Sequence, residues 1–155
     1  MIEKELSCSV IGAVFDVYNI LGYGFLEHVY QKAIERELRE RGHSVAREVA
    51  VPMFYGESVI AEQRLDMIVD NKLVLEIIST QELPRFATRQ PYNYLRATDL
   101  ELGLLLRFGP IAKFYRLVHL HDSTVHVDTG MAPPKNNNPS NPETSASSVA
   151  KLLTR

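Results

Sequence analysis

The chain has 155 residues, 45% of them hydrophobic, and a formal net charge of −2. That is enough apolar material for a packed core, too much for a disordered or fibrous protein, and the single cysteine, Cys8, excludes an intrachain disulfide framework. Past Asp122 lie Lys135, Lys151 and Arg155 against Asp128 and Glu143, so residues 1–122 stand at −3. The broad basic surface of a non-specific nucleic-acid binder is absent, and any such role must rest on a local patch.

The start, Met1-Ile-Glu-Lys-Glu5, places charges where a secretory signal has its apolar centre. No stretch reaches the ~18 apolar residues that a membrane span needs. A cytoplasmic protein without membrane contact is expected.

Ile2, Leu6, Val10, Val14, Val17 and Leu21 recur at helical spacing, and Gly22-Tyr-Gly24 ends that helix as an elbow. A second helix is predicted over residues 26–41, with Val29, Tyr30, Ala33, Ile34 and Leu38 inward and Gly42 as its stop. Residues 44–52 alternate like a strand, Tyr55-Gly56-Glu57 reads as a turn, and residues 59–69 as a second strand. Asp70-Asn71-Lys72 is a tight turn into a third strand, residues 73–79. Pro84 suits the first turn of a helix reaching residue 97. Strands over residues 102–108 and 113–120 follow, joined at Gly109-Pro110.

The order α-α-β-β-β-α-β-β predicts an α/β (α+β) domain over residues 1–122, a central mixed sheet flanked by helices. Residues 123–155 are expected to form a disordered tail, because Pro, Asn and Ser dominate it and cannot bury enough surface to offset the ordering entropy. Its last residues, 147–155, place Val149, Leu152 and Leu153 on one side of a short helix that could dock on a protein partner.

Two acids lie inside apolar strands, Asp66 in Leu65-Asp-Met-Ile-Val69 and Glu76 in Leu73-Val-Leu-Glu-Ile-Ile78. A three-residue loop at Asp70-Asn71-Lys72 would pair Val69 with Leu73 and so set Asp66 opposite Glu76. Directly opposed side chains share a face at ~5 Å. Two like charges that close call for a divalent cation between them, or for an arginine, with Arg64 available on the same face. Spacing leaves both readings open.

Gly24-Phe-Leu-Glu27-His-Val-Tyr30 matches the signature of the GxxExxY proteins. Arg64-Leu-Asp66, Leu75-Glu76, Gln90 with Asn93-Tyr94-Leu95, and residues 102–108 follow in that family's order. On these segments residues 5–120 resemble a GxxExxY domain of the PD-(D/E)XK nuclease superfamily. The resemblance implies a restriction-endonuclease-like fold in which Asp66, Glu76 and Glu27 would ligate Mg²⁺ or Mn²⁺ with the carbonyl of Ile77. Gln90 and Tyr94 would line the same catalytic site, and DNA or RNA would be the partner. Its motif ends E-x-K, whereas this chain reads Glu76-Ile77-Ile78, so the charge that orients water and stabilises the transition state is missing at Ile78. A cation elsewhere, Arg64, Arg85 or Arg89, is a candidate replacement. Pro91 should kink the third helix or cost it a backbone bond.

Arg85, Arg89 and Arg96 would form one helical stripe, near Tyr92 and Tyr94, and supply the local phosphate-binding patch; a solvated helix face is the bland alternative. His119, His121 and Asp122 are a weak candidate for a transition-metal site, and Cys8 has no evident histidine partner. Two functions therefore compete. One is a degenerate nuclease-like domain that binds metal and nucleic acid with weak or lost hydrolysis; the other is an inactive scaffold working through protein contacts.

Overall fold

The computed structural model describes residues 3–120 and 126–131. Two helices, α1 (Lys4–Leu21) and α2 (Glu27–Glu40), precede strands β1 (Val45–Tyr55), β2 (Ser58–Val69) and β3 (Leu73–Ile78). Helix α3 (Arg89–Ala97) then leads to β4 (Leu102–Arg107), β5 (Lys113–Val118) and β6 (His126–Met131). The six strands form one sheet in chain order, antiparallel throughout except for the parallel pair β3–β4 that α3 connects. This is the mixed α+β architecture expected for a restriction-endonuclease-like fold.

Strand alternation divides the core. Leu73, Leu75 and Ile77 of β3 and Leu102, Leu104 and Leu106 of β4 face α1 and α2, packing on Val10, Val14, Phe15, Ile34 and Leu38. Val74 and Leu105 face the other way, against Tyr94 and Leu95 of α3. β3 and β4 are therefore buried on both faces, which is why they read as continuous apolar runs. The Tyr30 ring stacks on Phe108 with centroids 4.2 Å apart and so ties α2 to the end of β4. No described helix is long and apolar enough to cross a membrane.

β1 and β2 change faces midway. Val45 and Met67 pack toward the α1/α2 side, whereas Val49, Val51 and Leu65 pack toward α3. The switch falls at Glu48, a non-glycine residue in the left-handed region (φ 50°), and the regular pairing of β1 with β2 skips Glu48 and Asp66. Asp66 thus sits at a local break in the sheet.

The β2–β3 register is the expected one, with Val69 beside Leu73, Ile68 beside Val74 and Met67 beside Leu75. Asp70 and Asn71 adopt positive φ in the loop, and the Asp70 carboxylate is anchored by His43 Nδ1 at 2.6 Å and by the Ser44 N–H at 2.8 Å.

Four expectations need correcting. The third helix begins at Arg89 rather than Pro84; residues 84–88 form turns closed by Ala87 N to Pro84 O and Arg89 N to Phe86 O, each 3.0 Å. Pro91 consequently lies in the first helical turn, where its missing N–H is unneeded, and produces no kink. β1 runs on through Pro52 to Tyr55, which its position at the sheet edge permits. The element order gains a strand, because β6 pairs with β5 within the segment expected to be tail. Gly130 makes that pairing feasible, since a Cβ there would lie 2.3 Å from the Phe114 ring. The rest of the tail, including the terminal segment 147–155, lies outside the described residues.

Candidate active site

The site begins at the elbow between α1 and α2. Gly22 and Gly24 both take positive φ (73° and 101°), turning the chain so that α2 starts at Glu27. The Tyr30 hydroxyl, one turn into α2, donates to Gly22 O at 2.7 Å and accepts from the Phe25 N–H at 3.4 Å. Gly24, Glu27 and Tyr30 thus have distinct tasks. The glycine permits the turn, the tyrosine clamps it from inside, and the glutamate is left facing the end of β3, where it accepts from the Ser79 N–H at 3.3 Å. Ser79 Oγ in turn donates to Phe25 O. Leu26, Glu27, His28, Gln31 and Ser79 line an open cleft of about 420 Å³ at this point.

Beyond Met67 and Leu75 the β2–β3 ladder stops and two carboxylates take over its hydrogen bonds. Asp66 Oδ2 accepts from the Ile77 N–H at 2.8 Å, and Glu76 Oε1 accepts from the Asp66 N–H at 3.2 Å. Asp66 therefore satisfies the backbone donor that follows Glu76, and Glu76 satisfies the backbone donor of Asp66. Glu76 is buried (7% exposed) and Asp66 half-buried.

The electrostatics follow from that confinement. Burial, then the neighbouring Asp66 charge, pushes the Glu76 carboxyl up to about 8. Asp66 is also raised, by burial first and by Glu27; the Ile77 N–H, Gln31 and Arg47 work in the opposite direction. The pair holds a proton where two free carboxylates would hold none. From the opposite face, Gln90 Nε2 donates to the Tyr94 hydroxyl at 2.7 Å, which donates to Arg64 O at 3.3 Å. Burial raises the Tyr94 hydroxyl, and the charges of Glu76 and Asp66 raise it further. The acids thus lie between α2 and α3.

The donor set fits a hard divalent cation. It is all oxygen, the two converging carboxylates repel, and a cation would occupy the position of the shared proton. Among the described residues no three His, Cys, Asp or Glu side chains gather into a ready-made ligand cluster. Glu27 is therefore not gathered with Asp66 and Glu76 into the expected three-acid ligand set.

The cationic candidates are placed differently from expectation. The antiparallel β2–β3 pairing ends at Met67 beside Leu75, short of Arg64, whose side chain is exposed and lies 4.0 Å from Glu48 rather than with the acids. Arg85 precedes α3 and rests over the Phe86 ring at 5.4 Å. Only Arg89 and Arg96 share the helix face, both over Tyr92 at 5.5 and 5.8 Å. Ile78 itself packs in the apolar cluster on the α3 side. His119 meets Tyr92 edge-on at 5.8 Å, while His121 and Asp122 lie outside the described residues. Cys8 is half-buried, and burial raises its thiol, as befits packing.

Two residues beside the acids were missed from sequence. Gln31 lies one turn after Glu27 on α2, and that i,i+4 spacing was the signal that could have found it. Arg47 had no such signal, because the backbone reversal at Glu48 decides which way the preceding residues face.

Searches of curated proteins and of solved structures found no match. A model of the PD-(D/E)XK nuclease superfamily matches residues 4–117, a span that holds the elbow, both acids, α3 and five of the strands. With the sheet, the paired acids and the match in agreement, the chain belongs to the PD-(D/E)XK nuclease superfamily.

Proposed function

We propose that the chain is a GxxExxY-type nuclease-like domain that holds Mg²⁺ or Mn²⁺ at Asp66 and Glu76 and engages DNA or RNA, with phosphodiester hydrolysis weak or lost. The observation supporting this is the pair of confined carboxylates, Asp66 on the Ile77 N–H and Glu76 on the Asp66 N–H, with Glu76 raised to about 8. A stable core has no use for two acids in that arrangement, since apolar residues of similar size would be cheaper to bury.

Asp66 and Glu76 would hold the ion, with the Ile77 carbonyl and Glu27 beside them. When bound, such an ion activates a coordinated water and neutralises phosphate charge. The chain's own residues would orient the partners: Glu27, fixed by the elbow, at the cleft, and Gln90 through the Tyr94 hydroxyl on the far side. Arg89 and Arg96, stacked on Tyr92, and Arg85 would contact phosphates. Ile78 can donate no hydrogen bond and carries no charge, and losing one electrostatic group of this kind costs ~10²–10³ in rate. This reading includes a cytoplasmic location and a protein partner for the C-terminal segment.

A second reading, an inactive scaffold, is favoured by the apolar packing of Ile78. One experiment separates them. Cleavage of plasmid, single-stranded DNA and RNA is followed with Mg²⁺ and Mn²⁺ in the native chain, Ile78→Lys, and Ile78→Lys combined with Asp66→Ala. The proposal expects faint or no native cleavage, a gain of ~10²–10³ in Ile78→Lys, and its loss in the double variant. A silent Ile78→Lys with intact folding supports the scaffold.

A further inference from the structure

The superfamily's lysine is absent at Ile78, and each arginine expected to replace it is engaged elsewhere. Arg64 lies out by Glu48, Arg85 over the Phe86 ring and Arg89 over Tyr92; Arg107, not among those expected but next to Ile78 across β3–β4, donates to the carbonyls of Gln81 (2.7 Å) and Ile111 (3.5 Å). Arg47 of β1 pairs with Met67, the residue after Asp66, and its charge lowers the Asp66 carboxyl. We infer that Arg47, acting through Gln31, is the positioning residue that holds Asp66 in its ligating orientation and brings positive charge to the acid pair from β1. The inference rests on the metal-binding reading above.

The geometry is directional. Arg47 Nη1 donates to Glu35 Oε2 at 2.9 Å, and Nη2 donates to Gln31 Oε1 at 3.0 Å. Arg39 donates to Glu35 Oε1 at 3.2 Å, which fixes that carboxylate from its other side. Because the guanidinium has only donors, the oxygen of the Gln31 amide must face it, which leaves the amide nitrogen as the group that can donate to Asp66 and lower its carboxyl. A chain of polarised groups therefore runs from Glu35 through Arg47 and Gln31 to Asp66, while the Ile77 N–H holds the other side of that carboxylate.

Two further observations separate this from a routine surface ion pair. Arg47 Nε is buried with no hydrogen-bond partner among the described residues, a cost that a purely stabilising pair would avoid. The left-handed residue Glu48 reverses the facing of β1 immediately after Arg47, so the arginine stays on the α2 side while Val49 and Val51 turn to α3. The second feature keeps Arg47 paired with Met67, the residue that follows Asp66. Arrangements that orient a metal-ligating side chain typically matter by ~10–100-fold in metal affinity.

The test uses the full chain at pH 8.5, with Mn²⁺ alone as probe. Calorimetry would compare the native protein with Arg47→Gln, Arg47→Lys, Gln31→Leu and Arg47→Gln/Gln31→Leu. The inference expects about tenfold or greater weakening in Arg47→Gln and in Gln31→Leu, and a double variant no weaker than either. Arg47→Lys should recover little, because a point charge cannot grip Glu35 and Gln31 together. Unchanged or tighter Mn²⁺ binding in Arg47→Gln overturns it, as would additive losses. A metal-free measurement stands apart from the metal reading. The Gln31 side-chain amide proton resonances should shift both in Asp66→Asn and in Arg47→Gln; failure to respond to either variant shows that no relay exists, even if the native chain binds Mn²⁺.

Discussion

Glu76→Gln should stabilise the metal-free protein at alkaline pH and leave it unchanged at acidic pH. Burial and Asp66 carry the Glu76 carboxyl from its ordinary 4.5 to about 8. Between those values the native state keeps a proton that the unfolded chain has released, so stability falls as pH rises. The contribution is complete below about 4.5 and gone above about 8, and its ceiling over that range is ~5 kcal/mol. Glutamine mimics the protonated acid. Its oxygen can still accept from the Asp66 N–H, its amide can donate to the Asp66 carboxylate, and it never ionises. Urea unfolding in EDTA, measured for both proteins from pH 5 to 9, reads the difference directly. The two should coincide near pH 5, with the variant ahead by several kcal/mol at pH 8.5. A difference that is flat with pH, or a variant less stable at pH 8.5, would refute the shared-proton account of the pair.

Tyr30→Phe keeps the stack on Phe108 but strands Gly22 O and the Phe25 N–H, and should cost ~1–3 kcal/mol in urea unfolding. Gly130→Ala drives a Cβ toward the Phe114 ring and should cost ~1–3 kcal/mol; no effect would argue against β6 pairing. For Asp70 burial opposes ionisation, but His43 and the Ser44 N–H outweigh it and lower the carboxyl. Its stabilisation is present above the ordinary carboxylate value of 3.8 and is lost as pH falls through the lowered one. Asp70→Asn should therefore destabilise at pH 7 and converge with the native protein in acid, as followed by thermal melts.

What the sequence disclosed and what it hid have physical causes. The loop Asp70-Asn71-Lys72 was informative, because a three-residue hairpin loop leaves one register, which runs as far as Met67 beside Leu75, and the two acids meet just beyond its end. The clamp at Gly24, Glu27 and Tyr30 was visible as a spacing, though the task of each residue appeared only with the elbow in view. Pro84 and Pro91 are both compatible with a helix start, and local propensity could not choose between them; the turns at residues 84–88 did. β6 was hidden because His126–Met131 is short, polar and followed by a Pro- and Asn-rich run, so its pairing depends on the β5 edge beside it. Arg47 was hidden for a related reason. Strict alternation assigns faces along β1, and a left-handed non-glycine residue breaks that alternation where no glycine advertises it. Arg64 was misplaced by the same assumption, that the ladder runs on past the acids.

The central claim is that two carboxylates, one from β2 and one from β3, form a binding place for one divalent ion. Isothermal titration of the metal-free chain with Mn²⁺ at pH 8.5, beside Asp66→Asn, tests it most directly. The account predicts saturable binding of a single ion that disappears in the variant. No binding by the native chain, or equal binding by both, would contradict it.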